Sequence, residues 1–306
     1  MLVTNREIMS VAAAEGYAVG AFNINHLETL LAVVEAVVEE RSPAIVSVTP
    51  SAIKYAGLEY LAAMVKVAAG KVSQPVSLHL DHGKDVDVVI RCLDAGFTSV
   101  MIDASNLSFE ENVEMTSRVV ELAREKGASV EAELGKLAGV EESSVEEKDA
   151  VLTDPVAAKK FVEQTGVDAL AVAIGTSHGA YKFKGVPKLD FDRLGRIREK
   201  TDVLLVLHGA SSVPAWIVEK ATKYGAELSG ARGIPEEHIK RATSLGVSKI
   251  NIDTDLRLAF TGAVREVLAT SRSQYDPRKI VGPAKDAMKM VVKGKMRLFG
   301  SAGKAT

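Results

Sequence analysis

Residues 76–83 read Val76-Ser77-Leu78-His79-Leu80-Asp81-His82-Gly83, a short apolar run that ends in an acid, an imidazole and a glycine. Val76 to Leu80 has the length and composition of a buried strand, and the polar tip is where a strand hands over to a loop. The pattern recurs on both sides, at Val19 to Phe22, Ala44 to Val48, Ser99 to Ile102 and Ser129 to Ala132, then at Ala169 to Ile174, Val203 to Leu207 and Lys249 to Ile252. Strands apolar on both faces belong in a parallel sheet covered by helices. Helical stretches lie between them. Leu27 to Arg41 places Leu30, Leu31, Val34, Val37 and Val38 at helical spacing, and Asn112 to Lys126 does the same before Gly127. Asp154 and Pro155 open another helix that stops at Gly166. About eight strand–helix units are the number that closes a TIM barrel, although an open doubly wound sheet holds as many. No Pro/Ser-rich linker divides the chain. The expected architecture is therefore α/β, a (β/α)8 TIM barrel over residues 1–306 as one catalytic domain. An added C-terminal helical segment runs from Asp276 through Phe299, with Ala284, Ala287, Met288, Val291 and Val292 free to face a partner or the barrel bottom.

Composition narrows the function classes. The 306 residues carry 38 Lys plus Arg against 40 Asp plus Glu, a net charge of −2, which lacks the basic excess of a nucleic-acid surface. No apolar stretch approaches the roughly 20 residues needed to span a bilayer. The segment MLVTNREIMS is not expected to be a signal peptide. Cys92 is the single cysteine and reads as a small core residue in a reducing, cytoplasmic compartment.

The chemistry is expected at the C-terminal ends of the strands. Three of six histidines, His82, His178 and His208, stand at three different strand tips. Imidazoles converging from separate strands suit a three-histidine catalytic zinc site with an open position. Asp103 and Glu133, at neighbouring tips, either hold a second cation or hydrogen-bond the ligating imidazoles. His79 reads as packed or supporting, and His26 and His238 as solvated. The last two tips, Gly209-Ala210-Ser211 and Asn251-Ile252-Asp253-Thr254, combine open backbone with hydroxyls, and with Gly179 they fit a phosphate site. An imine-forming aldolase needs a desolvated strand lysine. Ala169 to Ile174 has none, Lys249 lies at the wrong end of its strand, and Lys84 and Lys136 sit in loops. Two long connections, Gly135 to Leu152 and Ser177 to Asp190, follow strands on the catalytic side.

Taken together, these motifs resemble the class II, metal-dependent fructose-1,6-bisphosphate aldolases and their tagatose-bisphosphate relatives. The resemblance covers nearly the whole chain, from Gly20-Ala21-Phe22-Asn23 to Asn251-Ile252-Asp253-Thr254-Asp255-Leu256-Arg257. It implies zinc on His82, His178 and His208, and a second position, for a divalent or monovalent cation, at Asp103 and Glu133. It implies Asp81 as the proton-transfer group at the C4 hydroxyl and Glu141, in a mobile loop, as the group acting at the dihydroxyacetone carbon. Asn23, Thr49, Gly179, Gly209, Ala210, Ser211, Asn251, Ile252, Asp253, Thr254 and Arg257 are the implied substrate contacts. Relatives more often have Thr at the position of Ile252 and Ser-Glu-Gly at Thr49-Pro50-Ser51. The expected function is reversible cleavage of fructose 1,6-bisphosphate by a homo-oligomer, dimer or tetramer. A tagatose-1,6-bisphosphate aldolase and a non-catalytic sugar-phosphate-binding barrel are the alternatives.

Overall fold

A computed structural model describes residues 2–140, 144–145, 150–178, 188–228 and 232–305, with backbone alone at 138–140, 144–145 and 178. In chain order the first strands are β1 (Val19–Asn23), β2 (Ala44–Val48), β3 (Val76–Gly83), β4 (Ser99–Ile102) and β5 (Ser129–Leu134). They are followed by β6 (Ala138–Val140), β7 (Ser144–Val145), β8 (Ala169–Val172), β9 (Ser177–His178), β10 (Leu204–Leu207) and β11 (Val247–Ile252). Eight of these close a barrel in the order β1-β11-β10-β8-β5-β4-β3-β2, and every pairing in it is parallel. The doubly wound alternative is thereby excluded. The remaining three, β7-β6-β9, form a small separate sheet, so the two long connections are tied together where β6 pairs with β9.

The helices obey local rules that are visible in the chain. Among them are α1 (Asn5–Glu15), α2 (Leu27–Glu40), α3 (Pro50–Ala56), α4 (Leu58–Ala69), α5 (Val86–Asp94), α6 (Phe109–Glu125) and α7 (Pro155–Thr165). The second half adds α8 (Phe191–Lys200), α9 (Ala215–Lys223), α10 (Glu236–Ser244), α11 (Thr254–Thr270) and α12 (Pro277–Phe299). Asp154 caps α7 by accepting from Val156 N and Ala157 N at 2.9 and 2.8 Å, and Gly166 ends it with φ 62°. Helix α1 was not expected. It plugs the amino-terminal end of the barrel: Ile8, Met9 and Ala12 pack on Val19, Ala21, Ile45, Met101 and Val206, and Ser77 donates to Asn5 Oδ1.

Helix α12 neither projects from the fold nor covers the barrel bottom. Its buried face, which includes all five apolar positions named above, packs along α2 and α11. A row of ion pairs seals its edge on α2, with Lys289 to Glu35 at 3.0 Å and Arg297 to Glu40 at 2.7 Å. Cys92 is buried in α5, as expected of a core residue. No helix among the described residues is long and apolar enough to cross a membrane.

Candidate functional site

Alternate residues of a strand face the same side, and on the barrel strands the inward series grows more polar towards the carboxyl ends. On β3 the series is Ser77, His79, Asp81; on β5 it is Glu131, Glu133; on β11 it is Lys249, Asn251. At the tips, the buried Asp81 carboxylate accepts from Asn23 Nδ2 at 2.8 Å and from Asn251 Nδ2 at 2.9 Å. Both amides spend their NH2 groups on Asp81, while their Oδ1 atoms are buried with no hydrogen-bond partner. Two neutral donors thus fix the carboxylate from opposite sides without neutralising its charge.

His82 follows Asp81 directly and in a regular strand would face the helices. It has φ 52°, and the β3–β4 register shifts between Leu80 and Gly83. This left-handed residue breaks the alternation and lets both side chains reach the interior, a conformation that costs about 1–3 kcal/mol. The His82 Nε2 atom lies 2.8 Å from His208 Nδ1, with the two rings edge to face at 4.5 Å. The far side of each ring has its own carboxylate. His208 Nε2 is 2.7 Å from Glu131 Oε1, and His82 Nδ1 is 3.3 Å from Asp103 Oδ2 and 4.0 Å from Glu133 Oε2. Behind these, Lys249 Nζ donates to both Glu131 oxygens at 3.0 and 2.8 Å and lies 3.4 Å from His79 Nε2. Lys84 and Ser105 donate to Asp103.

The charges follow from this packing. Burial opposes ionisation of Glu131, but the Lys249 ammonium and the His208 hydrogen bond hold its carboxyl well below the usual range. Burial likewise opposes ionisation of Asp103, and His82 and Lys84 overcome it. Burial, then the neighbouring His82, push His208 down. Burial and the Lys249 charge push His79 down to about 3. Neutral imidazole is the metal-binding form, and a carboxylate on the far nitrogen is the usual device for orienting it. The ligand atoms of Asp81, His82 and His208 all lie within 4.8 Å of one another, and so do those of His82, Asp103 and Glu133. Facing imidazoles, each with a carboxylate behind it, fit a divalent transition ion such as zinc.

The other expected residues are placed unevenly. The backbone of His178 lies in β9, while its side chain, like Gly179 and Glu141, is outside the described residues. Gly209 brings that strand close: a Cβ there would meet Ser177 O at 2.6 Å, so only glycine lets the residue after His208 pass β9. Ala210 and Ser211 are buried beside it. Asp253 and Thr254 form the start of α11. Ile252 is in the apolar core, so only its backbone is available to a ligand. Arg257, with its side chain 62% exposed, pairs with Asp253 at 2.7 Å. Thr49 caps α3, accepting from Ala52 N at 3.2 Å, and its hydroxyl also meets Ser51.

The expectation that His26 and His238 are solvated is not met. Both are half-buried: His26 caps α2 and lies against Phe260, and His238 lies against Phe191. The residues that sequence reasoning missed are Glu131 and Lys249. Their signal was a charge two residues before a polar tip, inside an otherwise apolar strand. Lys249 is bound by Glu131 and so does not present a free amine nucleophile.

Comparison with known proteins identifies the family. The family model described as Fructose-bisphosphate aldolase class-II matches residues 3–227 and 228–304. A fructose-bisphosphate aldolase of Thermus caldophilus is 54% identical, with 100% of each chain covered. One from Helicobacter pylori strain J99 is 50% identical over 99% of this chain and 100% of its own. Among solved structures, the YdjI aldolase from Escherichia coli K12 superposes with a TM-score of 0.81 at 33% identity, covering 100% of both chains. A match that spans the barrel from β1 to α12, on a chain whose strand tips carry an acid beside facing imidazoles, places this chain in the class II fructose-bisphosphate aldolase family.

Proposed function

We propose that this chain, acting as a single catalytic barrel in the cytoplasm, reversibly cleaves fructose 1,6-bisphosphate to dihydroxyacetone phosphate and glyceraldehyde 3-phosphate. The observation that carries the reading is the Asp81 carboxylate, clamped by Asn23 and Asn251 next to the facing His82 and His208 rings. His82, His208 and His178 would hold a divalent ion, with zinc the best match to three imidazoles. When bound, that ion supplies electrophilic polarisation of the substrate ketone. Glu131 orients His208 for this task and Lys249 keeps Glu131 charged. Asp103 and Glu133 are assigned a second cation, divalent or monovalent, on the strength of their clustering with His82.

Asp81 moves the proton at O4. In the cleavage direction its carboxylate takes the C4 hydroxyl proton as the C3–C4 bond breaks, and C4 leaves as the aldehyde carbon. The electron pair remains on the C3 side, and Glu141 is assigned the protonation of that carbon. In the synthetic direction the two groups exchange roles. The unpartnered Oδ1 atoms of Asn23 and Asn251 are acceptors for substrate hydroxyls. Gly179, Gly209, Ala210 and Ser211 with the backbone of Asn251 to Thr254 at the start of α11 are assigned the dihydroxyacetone phosphate group, where N–H groups and the helix dipole favour an anion. Thr49 and Arg257 are assigned outer contacts, since each is engaged within the protein. The assembly is proposed to be a homo-oligomer, and exposed Tyr55, Tyr60 and Met290 offer apolar surface for it.

The test is metal removal. Chelation is expected to abolish cleavage of fructose 1,6-bisphosphate, and added zinc to restore it. Cleavage that survives complete metal removal, or that is trapped covalently by borohydride with substrate, would contradict the proposal.

A further inference from the structure

Helix α12 lies outside the barrel, and its buried residues are apolar with a single exception, Lys295, which is 3% exposed. A charged group in an apolar seam loses its hydration, and a methionine of similar size would fill the space without that loss. The Lys295 ammonium is 2.6 Å from Asp255 Oδ2 and also donates to the Ser212 hydroxyl. Asp255, fully buried in the first turn of α11, accepts with its other oxygen from Val213 N at 2.9 Å. Val213 has φ 45°, a left-handed conformation uncommon for a β-branched residue. One lysine and one aspartate therefore tie the loop after β10 to the first turn of α11, at residues adjoining Ser211 on one side and Thr254 on the other.

We propose that Lys295, acting through Asp255 and Ser212, is a positioning residue for phosphate recognition. From the C-terminal helix it holds the two phosphate-binding segments in register, so that their N–H groups converge on one anion. The proposal rests on the phosphate assignment made above. It gives α12 a part in substrate affinity in addition to its packing role. Because the ammonium spends its contacts on Asp255 and Ser212, its effect should appear in binding and not in the chemical step.

The experiment compares Lys295→Met, Lys295→Arg and Ser212→Ala with the parent enzyme, each loaded with metal. The readouts are metal content, kcat and KM for fructose 1,6-bisphosphate, and inhibition by inorganic phosphate. Lys295→Met is expected to raise both KM and the phosphate inhibition constant about tenfold, the size of one lost charge-assisted contact. Metal content and kcat should stay near parental values, the pattern of lost uniform binding. Lys295→Arg should recover part of the affinity, and Ser212→Ala should shift it in the same direction by less. If Lys295→Met does not fold, Ser212→Ala decides the matter, and an unchanged phosphate constant there overturns the proposal. Phosphate that competes in the parent but inhibits Lys295→Met equally well overturns the Lys295 role alone. Phosphate that does not compete with substrate in the parent overturns the phosphate assignment, and the Lys295 role with it. A fall in kcat at constant KM also overturns it.

Discussion

At the amino-terminal end of the barrel, Ile8 and Met9 of α1 sit on Val19, Ala21, Ile45, Met101 and Val206. At the carboxyl end, the tips of the barrel strands bring together Asp81, His82, Asp103, Glu133, His208, Asn23 and Asn251. Between the two lies a layer of His79, Glu131 and Lys249. The apolar end is filled by a helix and gains from burial, about 1.5–3 kcal/mol for each large side chain. The polar end has given up that gain. It spends strain at His82 and desolvation at its carboxylates to hold groups ready for a ligand. The middle layer separates the two, since Lys249 compensates Glu131 from below while Glu131 holds His208 above. Stability and chemistry are thus divided along the barrel axis, and substitutions at different heights should fail in different ways.

The largest effect is expected at the top. His208→Ala removes one of the facing imidazoles, and metal content and cleavage activity should be lost together, with the protein still folded by circular dichroism. Activity retained with stoichiometric metal would show that His208 is not a ligand. One layer down, Glu131→Gln keeps the shape but not the charge behind His208. Loss of such a supporting carboxylate typically weakens metal affinity about 10- to 100-fold, so a metal titration should show that shift, with activity recovered at high metal. No change in affinity would mean that the middle layer is packing alone. At the bottom, Met9→Ala should cost about 2–5 kcal/mol in denaturant unfolding. Metal content and kcat should not change, and a loss of either would erase the proposed division.

Much of this arrangement was legible in the chain. Helix α7 runs from Pro155 to Thr165, between the Asp154 and Gly166 signals, because caps act locally. The barrel strands stand out because burial on both faces leaves unbroken apolar runs. Helix α1 carries local signals of the same kind, a Thr4–Glu7 capping box and Gly16 after its last turn, which the reading passed over; its purpose, to fill the barrel end, exists only once the barrel closes. The sheet of β6, β7 and β9 has strands of two or three residues, too short for any period to show. Asp81 and His82 illustrate the limit best. Alternation puts neighbours on opposite faces, so a rule-bound reading cannot place both in one site. The φ of 52° that makes it possible depends on the β3–β4 register, which is a tertiary fact.

The central claim is that these two neighbours have separate tasks, with His82 holding metal and Asp81 moving a proton. The most direct test measures metal content and kcat on the same sample of Asp81→Ala. The account predicts metal occupancy at the parental level and a fall in kcat of about 10²- to 10⁴-fold, the usual contribution of a general acid–base group. Protein that arrives without metal would make Asp81 a ligand, and protein with both metal and near-parental turnover would give the proton transfer to another group. Either result would contradict the account.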